Sequence, residues 1–175
     1  MAIDDSKNKV DNDQQEQEGE DYATQSTLQF FQGLGISLKL PQISTNHDFL
    51  SELVVSLLKV DSISRGHVTC SFSVLPPVAN YYKGLHGGAV AIIAERLATA
   101  CARTIVGEEK PLFLVELSIS YLSSASINAE LIANASVVRS GRNLTVVSIE
   151  IRLKETKKLL YTAQATLHHL PSAKL

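Results

Sequence analysis

The segment from Gly87 to Ile105 constrains the fold most, because it is the one long apolar stretch that can form a central helix. It contains no proline and is dense in alanine, isoleucine and leucine, a composition that favours a mostly buried helix of about five turns. Gly107 follows as the predicted end of the helix. The remaining secondary structure must therefore pack around this one helix.

The segments on either side of the predicted helix alternate between apolar and polar residues, which indicates half-buried strands. We predict a strand pair, a loop, the helix and four further strands. An antiparallel sheet with one apolar face needs a cover, so the chain is predicted to be α+β, with the sheet wrapped around the helix. The apolar positions of the runs are Val68, Cys70, Phe72 and Val74; Phe113, Val115, Leu117, Ile119 and Tyr121; Leu131, Ala133, Ala135 and Val137; Val147, Ile149, Ile151 and Leu153; and Leu159, Tyr161, Ala163 and Ala165.

The domain organisation follows from length and from a change in composition. A chain of 175 residues suits a single domain with a real core. Residues 1–23 are predicted to be a disordered acidic tail, because they have little to bury. Residues 24–45 form a predicted connecting segment with a short helix, residues 46–170 the domain, and residues 171–175 a C-terminal tail.

Charge and composition exclude several classes of function. The formal net charge is −2, but residues 1–21 hold eight acids and two lysines, so the remainder carries 14 basic and ten acidic residues. This mild excess is far below that of a nucleic-acid-binding surface. No apolar run approaches the roughly 18 residues of a membrane span, and the N-terminus has neither a signal nor a transit composition. We therefore expect no nucleic-acid partner and no membrane span.

Motifs for metals and redox cofactors are missing from the sequence. Cys70 and Cys101 lack metal-ligand spacing and are predicted to be buried free thiols. No phosphate loop, dinucleotide fingerprint, zinc motif or nucleophile elbow occurs. We predict no metal and no cofactor.

The last three residues, Ala173-Lys174-Leu175, resemble the Ser-Lys-Leu peroxisomal address. This similarity predicts a peroxisomal location and recognition by the import receptor. A cytoplasmic location, with a tail that ends in these residues by chance, is the alternative.

Two glycines, Gly87 and Gly88, open the predicted helix. The first N–H groups of a helix lack intrahelical partners and lie at the positive end of its dipole, and glycine lets a substrate oxygen approach them. A backbone oxyanion hole is the functional interpretation, and a glycine turn at a crowded point is the structural one. His86 precedes them as a candidate catalytic residue, although a helix-capping role is the favoured interpretation.

Glu95 is the second candidate catalytic group. Its helical neighbours at three and four residues are Ile92, Ala91, Ala98 and Thr99, and none is basic. A glutamate within a buried helix is disfavoured unless it is paired or used in chemistry. It can serve as a general base for water or attack an acyl carbon directly. The structural alternative is a partner on another element, such as Arg96 or Arg103 of a second subunit.

Together, Asn80, His86-Gly87-Gly88 and Glu95 resemble the signature of the PaaI-like acyl-CoA thioesterases of the hotdog superfamily, over about residues 50–170. The resemblance implies the hotdog fold, an acyl-CoA substrate and no cofactor beyond it. It also implies that Gly87 donates its N–H to the thioester carbonyl, with Gly88 beside it, that Asn80 orients water or substrate, and that Glu95 attacks or activates water.

Three looser similarities concern CoA itself. The strand segment 121–125 resembles one that lines the CoA channel, the turn 139–142 resembles one that meets the phosphates, and His168-His169 falls near a histidine that some relatives use for CoA. Leu114 departs from the pattern, because a serine that assists the carboxylate stands there in close relatives. The implied substrate-binding residues are Gly88, Tyr121, Ser123, Arg139, Ser140, Gly141, Arg142 and His169.

Gly87 and Glu95 are eight residues apart, which places their backbones roughly 12 Å apart along one helix. We therefore predict that two subunits share each site, as the resemblance to hotdog dimers also implies. We further expect this homodimer to assemble into a tetramer. Two other functions stay open: a hotdog hydratase, disfavoured because the helix lacks an Asp-His pair five residues apart, and a non-catalytic module that binds acyl-CoA or aromatic ligands. The sequence leaves the acyl group undetermined.

Overall fold

The computed structural model describes residues 22, 24–32 and 48–169. The chain divides into two compact units, residues 1–45 and 46–175. In the first unit, residues 24–32 form helix α1, where the sequence predicts a short helix. The predictions for residues 1–21 and for the C-terminal tripeptide lie outside the described residues.

The second unit contains a six-stranded antiparallel sheet, in the order β1-β2-β4-β5-β6-β3. Strands β2 to β6 carry an apolar row toward the helix and more polar residues on the other face, which is the alternation expected of a half-buried sheet. Every residue of the edge strand β1 is exposed. The strands are β1 (Lys59–Ser64), β2 (His67–Ser73), β3 (Leu112–Tyr121), β4 (Glu130–Ser140), β5 (Leu144–Leu153) and β6 (Leu159–His169).

The long helix α3 (Gly87–Arg103) packs against strands β2 to β6, so the predicted α+β arrangement is confirmed. Eight of its residues are buried, among them Ile93 and Cys101, which are fully inaccessible. The helix ends at Arg103, two residues earlier than predicted, because Thr104 closes the last turn by bonding to the carbonyl of Cys101 through both its N–H and its hydroxyl. Cys70 and Cys101 are buried free thiols, as predicted.

The inward face of β3 differs from the prediction. The pairing of β3 with β6 shifts register between Leu114 and Glu116, and an extra residue in one strand moves the following side chains to the opposite face. Phe113 and Val115 are therefore 50% and 58% exposed, whereas Leu114 packs against the core. The sequence alternation alone assigned Phe113 and Val115 to the wrong face.

A short helix, α2 (Phe49–Val55), precedes the sheet and packs against α3. Its Ser51 hydroxyl lies 2.6 Å from the Arg96 guanidinium, which donates the hydrogen bond. A 3₁₀ turn at Pro76–Val78 carries the chain from β2 toward the loop before α3. None of the helices in the described part of the chain is long and apolar enough to cross a membrane.

Candidate active site

The N-terminus of α3 presents a free backbone donor. His86 is the N-cap, and its Nδ1 accepts a hydrogen bond from the N–H of Gly88 at 2.9 Å. The N–H of Gly87 donates to none of the residues that the structure describes. Because it lies at the positive end of the helix dipole, it suits an oxygen that develops negative charge. The observed contact of His86 is thus that of a capping residue.

Tyr121 lies against Gly87, the residue that supplies this donor. Its hydroxyl donates to the carbonyl of Gly87 at 3.0 Å, and its ring meets that of Tyr161 edge to face at 5.9 Å. Burial raises the pKa of Tyr161, whose hydroxyl accepts from the N–H of Ala125 at 3.1 Å. A Cβ added at position 87 would lie 3.3 Å from the Tyr121 ring. A side chain here would require the Tyr121 ring to shift by a few tenths of an ångström, so the glycine lets this ring lie against the start of α3.

Asn80 shapes the loop that leads into α3. Its Oδ1 accepts from the N–H groups of Tyr82 and Gly84, both at 3.0 Å, and Ala79 and Leu85 pair at the base of the loop. With Oδ1 committed to the loop, the Nδ2 amide remains as a donor that contacts no acceptor among the described residues. The side chain is thus held at one end and can position water or substrate with the other.

Glu95 lies two turns beyond Gly87 on α3 and is half-buried. Its carboxylate forms no hydrogen bond or ion pair with any residue that the structure describes. The adjacent Arg96 binds Ser51 instead, and Arg103 donates to the carbonyls of Gly107 and Lys110. The carboxylate is therefore free to accept a proton or to attack a carbon.

The turn between β4 and β5 carries the two predicted phosphate-binding arginines. Arg139 and Arg142 are both exposed and line a shallow surface pocket together with Gly141. The N–H of Gly141 donates to the carbonyl of Leu144 at 2.8 Å, which closes the turn. Neither guanidinium group pairs with a carboxylate among the described residues, and two such groups on one turn suit the phosphates of a nucleotide.

His169 lies beneath this turn and not on its surface. It is 4% exposed, its Nε2 is 2.7 Å from the hydroxyl of Thr145, and that hydroxyl is 2.9 Å from Ser140 Oγ. Burial lowers the pKa of His169, and the nearby Lys110 lowers it further. In this arrangement, His169 supports the turn, and direct contact with substrate would require it to move, whereas Ser140 is exposed at the surface.

The predicted residues thus fall into three groups. His86, Gly87, Gly88 and Tyr121 lie together at the start of α3, and Asn80 lies in the loop that leads into the helix. Glu95 lies alone farther along the helix, and the residues of the β4–β5 turn form the third group. Ser123 follows β3, and its hydroxyl accepts from Lys158 Nζ at 3.3 Å. The described residues contain no cluster of three or more side chains that could hold a metal ion.

Helix α2 and the role of the buried Thr145 were not predicted from the sequence. The apolar residues of α2 and the turn after it occur at helical spacing, a signal that could have identified the helix. Thr145 occupies an apolar phase of β5, and only the fold shows that its hydroxyl meets His169. The helical positions are Leu50, Leu53, Val54, Leu57 and Leu58.

Comparisons with known proteins show which family this chain resembles. A model of the thioesterase superfamily matches residues 82–160, which include the start of α3, Glu95 and the arginine turn. Human acyl-coenzyme A thioesterase 13 is 27% identical over 117 residues, covering 67% of this chain and 83% of that protein.

Two solved structures share the fold. The structure of zebrafish thioesterase superfamily member 2 superposes with a TM-score of 0.64 at 26% identity, covering 67% of this chain and 84% of that one. The phenylacetic acid degradation protein PaaI from Thermus thermophilus superposes with a TM-score of 0.61 at 20% identity, covering 67% and 98% of the two chains. Residues 82–160 of this chain therefore resemble the thioesterase superfamily, and the chain has the hotdog fold of these PaaI-like proteins.

Proposed function

We propose that this protein is a thioesterase that hydrolyses an acyl-CoA thioester to the free acid and CoA. The observation that carries the proposal is the unengaged N–H of Gly87 at the start of the helix that also holds the unpaired Glu95. An oxyanion donor and a free carboxylate are what acyl transfer to water needs. The similarity to human acyl-coenzyme A thioesterase 13 supports CoA as the leaving group.

The residues of the site account for each step of hydrolysis. The thioester carbonyl oxygen accepts the Gly87 N–H, while the Asn80 amide holds water or the carbonyl in place. Glu95 takes a proton from the attacking water, or attacks the carbonyl carbon itself to form an anhydride that water then cleaves. The tetrahedral oxyanion collapses, the C–S bond breaks, and the CoA thiolate leaves and is protonated.

The distance along α3 favours a site shared by two subunits. Gly87 and Glu95 belong to one continuous helix, so their backbones lie roughly 12 Å apart along its axis. The carbonyl must lie about 3 Å from its donor, with the carboxylate close to the same carbon. Two antiparallel α3 helices related by a two-fold axis bring Gly87 of one protomer beside Glu95 of its partner. We propose a homodimer as the active unit and a tetramer of two such dimers.

The arginine turn is the proposed site for CoA phosphates. Arg139 and Arg142 are exposed and take part in no ion pair with a described residue. Charge-assisted hydrogen bonds from both guanidinium groups can hold the phosphates. Tyr121 and Ser123, at the end of β3, are the proposed contacts along the pantetheine arm.

A panel of acyl-CoA esters with the purified full chain tests the function directly. We expect release of one free thiol per acid formed, measured with a thiol reagent, and no release by a Glu95→Gln control. Failure of the wild-type chain to hydrolyse every ester of an aromatic and an aliphatic series would overturn the proposal.

The C-terminal tripeptide supports a peroxisomal location as a separate proposal. Its sequence, Ala173-Lys174-Leu175, places a small residue, a lysine and a leucine at the end of the chain, where the import receptor binds its signal. A fluorescent reporter that carries the last ten residues is expected to enter peroxisomes of a eukaryotic cell. A diffuse cytosolic signal would favour the cytoplasm instead.

A further inference from the structure

A cavity between helix α2 and the start of α3 opens beside the proposed oxyanion hole. Its lining includes His86, Gly88 and Ala89 from the start of α3. These residues flank Gly87, whose N–H is the proposed donor to the thioester carbonyl. Any group bonded to that carbonyl carbon must extend within a few ångströms of this point, so the cavity lies within reach of the acyl part of the substrate.

The cavity is large enough for one part of an acyl-CoA but not for the whole molecule. Its volume is about 260 Å³, below the roughly 300–1,000 Å³ of pockets that enclose complete drug-sized ligands. A complete acyl-CoA is larger still. The CoA portion has its own proposed site at the arginine turn, which leaves the acyl group as the part of the substrate that this cavity can take.

The chemistry of the lining restricts that acyl group. The wall formed by α2 consists of Leu50, Leu53 and Val54, and α3 contributes Ile92. No lysine or arginine lines the cavity, and the one titratable side chain there, His86, uses its Nδ1 to cap the helix. An apolar acyl chain gains by burial against these side chains. A carboxylate would lose its hydration without meeting a cation.

We infer that this cavity is the acyl subsite, selective for uncharged apolar acyl groups, and that Leu50 and Leu53 on α2 set the acyl length accepted. The inference rests on the proposed function. The hydrogen bond between Arg96 and Ser51 fixes α2 against α3, so the wall keeps its distance from the carbonyl. From the exposed fractions of its lining, we place the mouth of the cavity at Leu50, which is 57% exposed, and its base at Val54, which is 1% exposed.

The charge selectivity is tested with two esters of equal carbon number, hexanoyl-CoA and adipoyl-CoA. We expect kcat/KM of the wild-type chain to be at least about 10²-fold lower for adipoyl-CoA than for hexanoyl-CoA, because the terminal carboxylate of adipoyl-CoA would be buried without a partner. Comparable values for the two esters would overturn the assignment of an apolar subsite.

The length selectivity is tested with acyl-CoA esters of four to sixteen carbons. Leu53→Ala removes part of the wall and is expected to raise kcat/KM for long relative to short esters by about tenfold or more, since one methylene in an apolar pocket is worth about 10-fold to 200-fold. Leu50→Trp narrows the mouth and is expected to have the opposite effect. Leu50 is exposed, so this variant keeps the test valid where Leu53→Ala fails to fold.

Leu58→Ala is the matched control, because Leu58 packs against the same core but does not line the cavity. Its length profile is expected to equal that of the wild type. If the wild type is active but both α2 variants keep its acyl-length profile, the subsite alone is overturned. The subsite is also overturned if the α2 variants change only the oligomeric state, because that result indicates that a second copy of the chain occupies the cavity. A wild type that hydrolyses no ester overturns the proposed function and the subsite with it.

Discussion

Refolding two inactive variants together is expected to restore about a quarter of wild-type activity. The variants are Asn80→Ala and Glu95→Ala, each unfolded and each without activity when refolded alone. If one protomer supplies Asn80 and Gly87 and its partner supplies Glu95, a mixed dimer contains one intact site and one doubly damaged site. Random pairing makes half of the dimers mixed, and half of their sites are intact.

The magnitude depends on the geometry of α3. Gly87 and Glu95 are both within the continuous helix Gly87–Arg103, and a rise of about 1.5 Å per residue separates them by roughly 12 Å. A carboxylate side chain covers only part of that distance. If a bend in α3 brought Gly87 and Glu95 of one chain together, each wild-type chain would hold a complete site. Each variant chain would then hold a damaged site, and mixing the variants would restore no activity.

The assay follows thiol release from an acyl-CoA ester after the mixture has refolded, with the mixed species confirmed by a mass tag on one variant. A mixture of Glu95→Ala with Glu95→Gln is the matched control, since it contains no intact site under either geometry. Confirmed mixed dimers of the first pair that are as inactive as this control would refute the shared site.

Three further predictions follow from the site. Glu95→Gln is expected to lower kcat by about 10²-fold or more. Its melting temperature should equal or exceed that of the wild type, because the half-buried carboxylate has no partner among the described residues. Retained activity in the folded variant would exclude the carboxylate mechanism. Replacing Arg139 and Arg142 by alanine is expected to raise KM for CoA esters, most strongly at low salt. KM for an S-acyl-N-acetylcysteamine, a thioester without phosphates, should stay constant. Equal changes in KM for both substrates would contradict phosphate binding. Burial lowers the pKa of His169 below its ordinary value of 6.5. As pH falls, the histidine therefore binds a proton in the unfolded chain before it does so in the folded one, and the free energy of unfolding is expected to fall below about pH 6.5. In chemical denaturation at several pH values, His169→Gln should show a smaller fall, and the same dependence on pH in both proteins would contradict the assignment.

The features predicted correctly are those that depend on local periodicity. Alternation in Val147, Ile149 and Ile151 identified a strand in which these three residues are fully buried and the residues between them are not. The apolar stretch after Gly87 identified the helix at its observed first residue. Both patterns follow from the geometry of one element against one core, so the sequence contains them in full.

Features that depend on pairing between distant segments could not be predicted in this way. The register shift near Leu114 follows from the alignment of β3 with β6, and it reversed the predicted orientation of Phe113 and Val115. The hydrogen bond from Tyr121 to Gly87 joins residues 34 positions apart. Such contacts leave no periodic signal, and a resemblance to a family supplies the residues but not the register that brings them together.

The positions on α3 indicate how one helix serves three purposes. Residues four apart lie on one face of a helix. Gly88, Ile92 and Arg96 form a row toward α2, which holds the proposed acyl subsite and the hydrogen bond to Ser51. Glu95 belongs to the neighbouring row, and the N-terminus itself offers the Gly87 donor. Because these surfaces are distinct, substitutions at Ile92 should alter the acyl preference, whereas substitutions at Glu95 should alter the rate for every ester alike.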